Sequence, residues 1–266
     1  MPAALPGLLS PVLPTPAVRA IIERAGAPEL DLQGPHTARQ LVAAALAAPE
    51  GGDRPVLAVA ATGREVETLT AALGDLLGEE AVAAFPSWET LPHERLSPRA
   101  DTVGKRLDVL HRLTQADHGG LRVVVTAVRS LIQPMAPGLG ALAPVDLRVG
   151  TESEFETVIC RLIDLAYERV DMVEKRGEFA VRGGILDVFP PTAAHPCRVE
   201  FWGDEVSEIR PFAVADQRSL PEEVEQVIAP GCRELLLTEE VKQRAARLAA
   251  EHEADAALSE MLTKLA

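Results

Sequence analysis

The feature that most restricts the fold is a change of hydrophobic period partway along the chain. In the first half the apolar runs are unbroken: PVLAVAA from Pro55 to Ala61 and LRVVVT from Leu121 to Thr126. Short runs that are apolar on both sides of the backbone suit strands buried on both faces of a parallel sheet. Ala81 to Phe85 reads as a third strand of the set. Helical patterns fall between them. Thr62 with Glu65 three residues on forms a capping box, followed by Val66, Leu69, Leu73, Leu76 and Leu77 on one face. Asp101 to Leu113 repeats the pattern with Val103, Leu107 and Leu110, and Ala127 to Ile132 is a short helix. Upstream, Pro16 opens a helix over Ala17–Ala25, Leu30–Leu32 reads as a brief strand, and an Ala-rich helix ends near Pro49. Strand–helix alternation at this spacing implies right-handed crossovers and an open, mostly parallel sheet of the α/β class.

QPMAPGLGALAP, from Gln133 to Pro144, ends that pattern and marks a domain boundary. Beyond it the sequence predicts a strand (Asp146 to Val149), a helix (Ser153 to Ala166) and then a region of two-residue alternation from Arg169 to Arg210. Phe179 and Val181, then Ile185, Leu186 and Val188, supply apolar positions around Gly183-Gly184, with Glu178, Arg182 and Asp187 between them. Cys197–Trp202 and Val206–Phe212 follow, joined through Gly203-Asp204, a dipeptide suited to a tight turn. Half-buried antiparallel strands have this pattern, and with the preceding helix they make a small α+β unit. One more strand (Val224 to Ala229) and a helix capped by Thr238 close the chain. From Pro221 onward ten acidic residues stand against five basic ones, which fits a solvated helix face.

Charge and cysteine usage exclude several functions. The 266 residues carry a net charge of −14, which argues against a dedicated nucleic-acid surface, since phosphate binding draws on Lys and Arg. Cys160, Cys197 and Cys232 lie far apart with no Cys-x-x-Cys spacing, so they read as small core residues in a reducing compartment. No histidine shares ligand spacing with another or with a cysteine. No apolar run reaches the roughly 18 residues of a membrane span. The N-terminus lacks a basic leader and is broken by Pro2, Pro6, Pro11, Pro14 and Pro16. A cytoplasmic, monomeric protein without membrane contact is expected.

The first place to seek chemistry is the turn after Leu32, where Gly34 stands before a helix. A phosphate loop needs G-x-x-x-x-G-K-[ST]: glycines for close amide approach, Lys for the β/γ charge, a hydroxyl for magnesium. Counting from Gly34, those positions hold Arg39, Gln40 and Leu41, and Pro35 removes an amide donor. The loop reads as degenerate. The irregular FPSWETLPHERLSP from Phe85 to Pro98 offers Trp88 but few of the aromatic and basic residues of a stacking surface. Packing of Trp88 and Leu91 over the sheet edge is the expected role.

Two longer stretches carry a family resemblance. FPSWETLPHERLSPRADTVGKRL (Phe85 to Leu107) resembles the corresponding segment of the bacterial transcription-repair coupling factors. RGEFAVRGGILDVFP with RVEFWGDEVSEIR, within Arg176 to Arg210, resembles the domain those proteins share with the excision-repair protein UvrB. The resemblance covers nearly the whole chain and only the N-terminal module of the family. It implies a UvrB domain 1-like fold over residues 1–140, an inserted UvrA-binding α+β domain over 141–219, and a truncated return to the first domain over 220–266. RNA polymerase contact, DNA contact and the ATP- and Mg-dependent translocase motor would lie beyond Ala266, leaving no cofactor in this chain. UvrB keeps the phosphate loop that Gly34–Leu41 lacks, and its tyrosine-rich DNA hairpin corresponds here to a shorter stretch without Tyr. The family's UvrA-contacting arginines fall on Arg169 and Arg182, and a third UvrB arginine falls on Ala180. Phe179, Lys175 and Arg176 are neighbours added to that surface. Function is thus expected to be non-catalytic recruitment of UvrA to a stalled polymerase; the alternative is a UvrB-like enzyme that hydrolyses ATP and binds damaged DNA.

Overall fold

The computed structural model describes residues 5, 7–91, 97–236 and 239–265, and the chain divides into two compact units, residues 1–143 and 144–266. Thr238 and the stretch 92–96 lie outside the described residues, so the expected helix cap at Thr238 is not among them.

The first unit holds helices α1 (Leu9–Val12), α2 (Pro16–Arg24) and α3 (Ala38–Ala47). Strand β1 (Val56–Ala60), helix α4 (Gly63–Leu77), strand β2 (Val82–Phe85), helix α5 (Ala100–Thr114), strand β3 (Val123–Ala127) and helix α6 (Val128–Ile132) follow. All three strands are parallel, in the order β1-β3-β2. Val123 and Val125 of the central strand are fully buried and pack with Ala44 and Ala47 of α3 and Leu73 of α4. The opposite face of β2 and β3 is covered by Val109 of α5. Helix α4 starts as expected: the Thr62 hydroxyl accepts the Glu65 N–H at 3.2 Å while the Glu65 carboxylate accepts the Thr62 N–H at 3.2 Å.

Two expectations for this unit need correction. Strand β1 is an edge strand, with Leu57 57% and Val59 46% exposed, so PVLAVAA is not buried on both faces. Leu30–Leu32 forms no strand; residues 29–35 have no regular structure. Two leucines around Asp31 make too short an apolar segment to hold a strand without a neighbour for its backbone hydrogen bonds. Leu91 is exposed, whereas Trp88 is half-buried and pinned. Its backbone N–H donates to the Gln133 side-chain oxygen at 2.8 Å, and the guanidinium of fully buried Arg106 lies 4.3 Å from the Phe85 ring centre and 5.3 Å from that of Trp88.

The second unit contains strand β4 (Val145–Arg148), helix α7 (Phe155–Asp164), β5 (Glu168–Arg169), β6 (Glu178–Arg182), β7 (Ile185–Val188), β8 (Cys197–Trp202), β9 (Glu205–Pro211) and β10 (Gln226–Ala229). Helices α8 (Glu239–Glu251) and α9 (Ala256–Leu265) follow. Five strands form one sheet in the order β5-β6-β7-β8-β9, antiparallel except for the parallel edge pair β5–β6. The strand at 226–229, read from sequence as part of a return to the first domain, is hydrogen-bonded antiparallel to β4 of the second unit.

Alternation sorts the five-stranded sheet into two faces. Phe179, Val188, Leu186, Cys197, Val199 and Ile209 are buried and share one face through the register Phe179↔Val188↔Cys197 and Leu186↔Val199↔Ile209. Helix α7 belongs to this layer: Phe155 meets Phe201 edge-on at 4.8 Å, and the helix's first amide N–H, that of Phe155, donates to the Asp204 carboxylate at 3.1 Å. The other face carries Ala180, Asp187, Arg198 and Arg210 in one cross-strand row. Val173, Ala180, Phe189 and Phe212 make a smaller apolar cluster of buried residues.

The cysteines are free, and two of the three are buried; Cys160 is exposed, against the expectation of three core residues. Burial pushes the Cys197 thiol up to about 11 and the Cys232 thiol up to about 12.

Candidate partner-binding site

Of the residues singled out around Arg169–Arg182, Arg169, Lys175, Arg176 and Arg182 are exposed on or beside the β5–β6 edge, and Phe179 is buried. Gly183 and Gly184 connect β6 to β7 in a two-residue turn closed by the Arg182↔Ile185 pair. Gly183 has φ +62°, and a Cβ at Gly184 would stand 2.9 Å from the Phe201 carbonyl oxygen, so both glycines are needed here. This turn fixes Arg182 as the last residue of its strand. Its side chain is exposed, and its guanidinium donates to the Asp171 carbonyl at 2.8 Å. That bond aims the fork along the surface and leaves its other N–H groups to solvent.

Arg169 lies on the short edge strand, exposed, and its guanidinium has no hydrogen-bond or salt-bridge partner among the described residues. Of the local carboxylates that could neutralise these arginines, neither Glu174 nor Glu178 forms an ion pair with Arg169 or Arg182 among the described residues. Glu178 accepts the backbone N–H groups of Glu174 and Lys175, each at 2.8 Å, and so ties down the turn before β6. Lys175 is exposed on that turn. Arg176 is exposed too, but its guanidinium sits 5.0 Å from the Phe189 ring centre and donates to the Ala193 carbonyl at 3.2 Å.

Phe179 is corrected out of the surface. It is 0% exposed, a core residue of the face under α7, and no partner could touch its side chain. Ala180, onto which the resemblance placed a third family arginine, is likewise buried, within the cluster of Val173, Phe189 and Phe212. The register also separates the two arginines. Arg169 pairs with Phe179, and Arg182 is three residues farther along β6, so alternation turns them toward opposite faces of the edge. The separation of their Cα atoms is about 11 Å, from three residues of strand rise and one interstrand spacing.

The residues read from sequence as a degenerate phosphate loop lie in the first unit. Gly34 and Pro35 precede α3 without a strand before them, and Gly34 needs no left-handed backbone. Arg39 lies in the first turn of α3 and is drawn to His36 and to Glu65, whose carboxylate is 3.5 Å away. Gln40 and Leu41 are half-buried, Leu41 against the sheet core. The Glu65 carboxylate, which also lies 3.8 Å from the His36 ring, would compete with a phosphate for the Arg39 guanidinium. Among the described residues no group of His, Cys, Asp and Glu could hold a metal ion.

The family model falls on the second unit, and the most similar relatives cover both units. Residues 145–232 match the family model described as the UvrB interaction domain. Over 98% of its length the chain is 55% identical to the transcription-repair-coupling factor of Mycobacterium tuberculosis, covering 22% of that protein. It is 32% identical to that of Bacillus subtilis over 79% of the chain and 17% of the relative, and 34% identical to that of Escherichia coli over 56% and 13%. The chain belongs to the transcription-repair coupling factor family. It spans about a fifth of the length of these curated relatives. The matched residues contain all of β4 to β10, so the UvrB interaction domain holds both sheets of the second unit and the whole arginine edge.

The sequence reading missed two structural contributors. Asp171 orients Arg182 through a backbone carbonyl, which no side-chain pattern reveals. Trp202 is 83% exposed; the alternation that buries Cys197, Val199 and Phe201 already placed it outward.

Proposed function

We propose that this chain is a non-catalytic module that recruits UvrA through the β5–β6 edge of its second unit, within a protein that links stalled RNA polymerase to excision repair. The observation that carries the reading is the state of the two arginines among the described residues: Arg169 has no hydrogen-bond or ion-pair partner there, and Arg182 is bonded to the Asp171 carbonyl alone, inside the segment that matches a UvrB interaction domain. Guanidinium forks left free of local carboxylates suit bidentate capture of partner Asp or Glu side chains. Both would be desolvated on binding, and buried Arg anchors dominate many interfaces.

The reading assigns no nucleotide chemistry to the chain, supported by Arg39, Gln40 and Leu41 at the positions a phosphate loop reserves for Gly, Lys and a hydroxyl. Contact with RNA polymerase, DNA translocation and ATP turnover would belong to other parts of the longer family proteins. Titrating the purified chain with UvrA is expected to give saturable binding, and with Mg-ATP none. A chain that fails to bind UvrA, or that turns over ATP, overturns the proposal.

A further inference from the structure

The polar face of the second unit's sheet carries a feature outside the arginine set. Register places Arg182, Ile185, Glu200 and Glu208 in one row across β6, β7, β8 and β9. Trp202 follows Glu200 by two residues on the same face and pairs directly with Glu205. Glu152 extends that row, since it forms a bridge with Glu205 from the other side. An indole 83% exposed is thus flanked by Glu200, Glu205 and Glu152, all exposed.

Neighbouring charges are already committed. Asp204 caps α7, Glu208 pairs with Arg210, and Arg210 also reaches Glu223 at 3.0 Å. Arg198, the cation near Glu200, gives two hydrogen bonds to the two oxygens of Asp187, at 2.7 and 2.8 Å. The carboxylates of Glu200, Glu205 and Glu152 form no hydrogen bond or salt bridge among the described residues. Packing does not explain the tryptophan either, because it lies in solvent.

We infer that Trp202, with Glu200 and Glu205 beside it, receives a cationic side chain, arginine or lysine, of the protein partner that Arg182 engages. A cation over an indole face is attracted by the ring quadrupole, and two carboxylates at the ring's edge add the counter-charge. Arg182 lies two strands from Glu200 along one row, about 10 Å away. The face is therefore positive at one end and aromatic-acidic at the other. A partner strand or helix presenting a carboxylate and a cation about 10 to 15 Å apart would match both ends. This inference rests on the UvrA reading above and adds a second, oppositely charged contact to it.

The test is UvrA affinity of the whole chain in four forms: wild type, Trp202→Ala, Trp202→Phe, and Glu200→Lys with Glu205→Lys. Trp202→Ala is expected to weaken binding about 30-fold, the size expected when an aromatic anchor is truncated. Trp202→Phe should recover most of it, and the charge reversal should weaken binding at least as much as the Ala variant. Thermal unfolding of all four should coincide, because the substituted side chains are exposed. Wild-type binding with no loss in Trp202→Ala overturns this inference and leaves the arginine reading standing. Loss in Trp202→Ala with none on charge reversal overturns the cationic partner group. No wild-type binding overturns both.

Discussion

Replacing Asp187 by Ala tests the physical account of the sheet that carries the candidate surface. Asp187 is 2% exposed and sits between Ala180 and Arg198 in the cross-strand row. Both its oxygens accept from Arg198, whose guanidinium also lies 5.0 Å from the Phe212 ring centre. Removing one partner of a buried ion pair costs about 3 to 5 kcal/mol, because the remaining charge stays desolvated. Arg198 retains 21% of its side-chain exposure and can turn partly toward water, which places the expected cost near the low end, about 3 kcal/mol. Urea unfolding followed by circular dichroism would read this as a lower midpoint with an unchanged slope. The double variant Asp187→Ala with Arg198→Met should recover part of the loss, since it removes the stranded charge and keeps apolar volume over Phe212. A cost below about 1 kcal/mol for Asp187→Ala would refute the view that this is a buried ion pair whose remaining charge is left desolvated.

Further predictions concern groups away from the surface. In the native chain at pH 8, a thiol reagent should modify Cys160 rapidly and Cys197 and Cys232 slowly, with all three reacting in denaturant. Stability should fall as pH rises from about 9 toward 12: the unfolded thiols ionise near their ordinary value of 9.0, while burial holds Cys197 up to about 11 and Cys232 up to about 12. Both thiols are neutral in either state below that window, so no thiol effect is expected at neutral pH. Thr62→Ala should destabilise the first unit by about 1 kcal/mol through loss of the α4 cap, and Thr62→Ser should restore it.

The sequence was most legible where local chemistry decides the structure. The Thr62–Glu65 box, the Gly183-Gly184 turn and the alternation of Cys197 to Trp202 all act within a few residues, and all stand as read. It was least legible where tertiary neighbours decide. PVLAVAA is apolar throughout, but exposure of Leu57 and Val59 depends on β1 being an edge of the order β1-β3-β2, which no local pattern encodes. The same holds at the candidate surface. Arg169 and Arg182 could be named from sequence, yet the faces they take follow from the Arg169↔Phe179 pairing of a two-residue strand. Phe179 is a different case: it is a sequence neighbour of the arginines, but its own position in the alternation points it into the core.

The central claim rests on whether the exposed arginines make the partner contact. The most direct measurement is UvrA affinity for the chain with Arg169→Ala and Arg182→Ala, singly and together. Each single change is expected to weaken binding about 30-fold, and the pair more than either. Unchanged thermal stability should accompany the Arg169 change, because that guanidinium has no partner to lose among the described residues. Wild-type affinity in both single variants and the double would contradict the account.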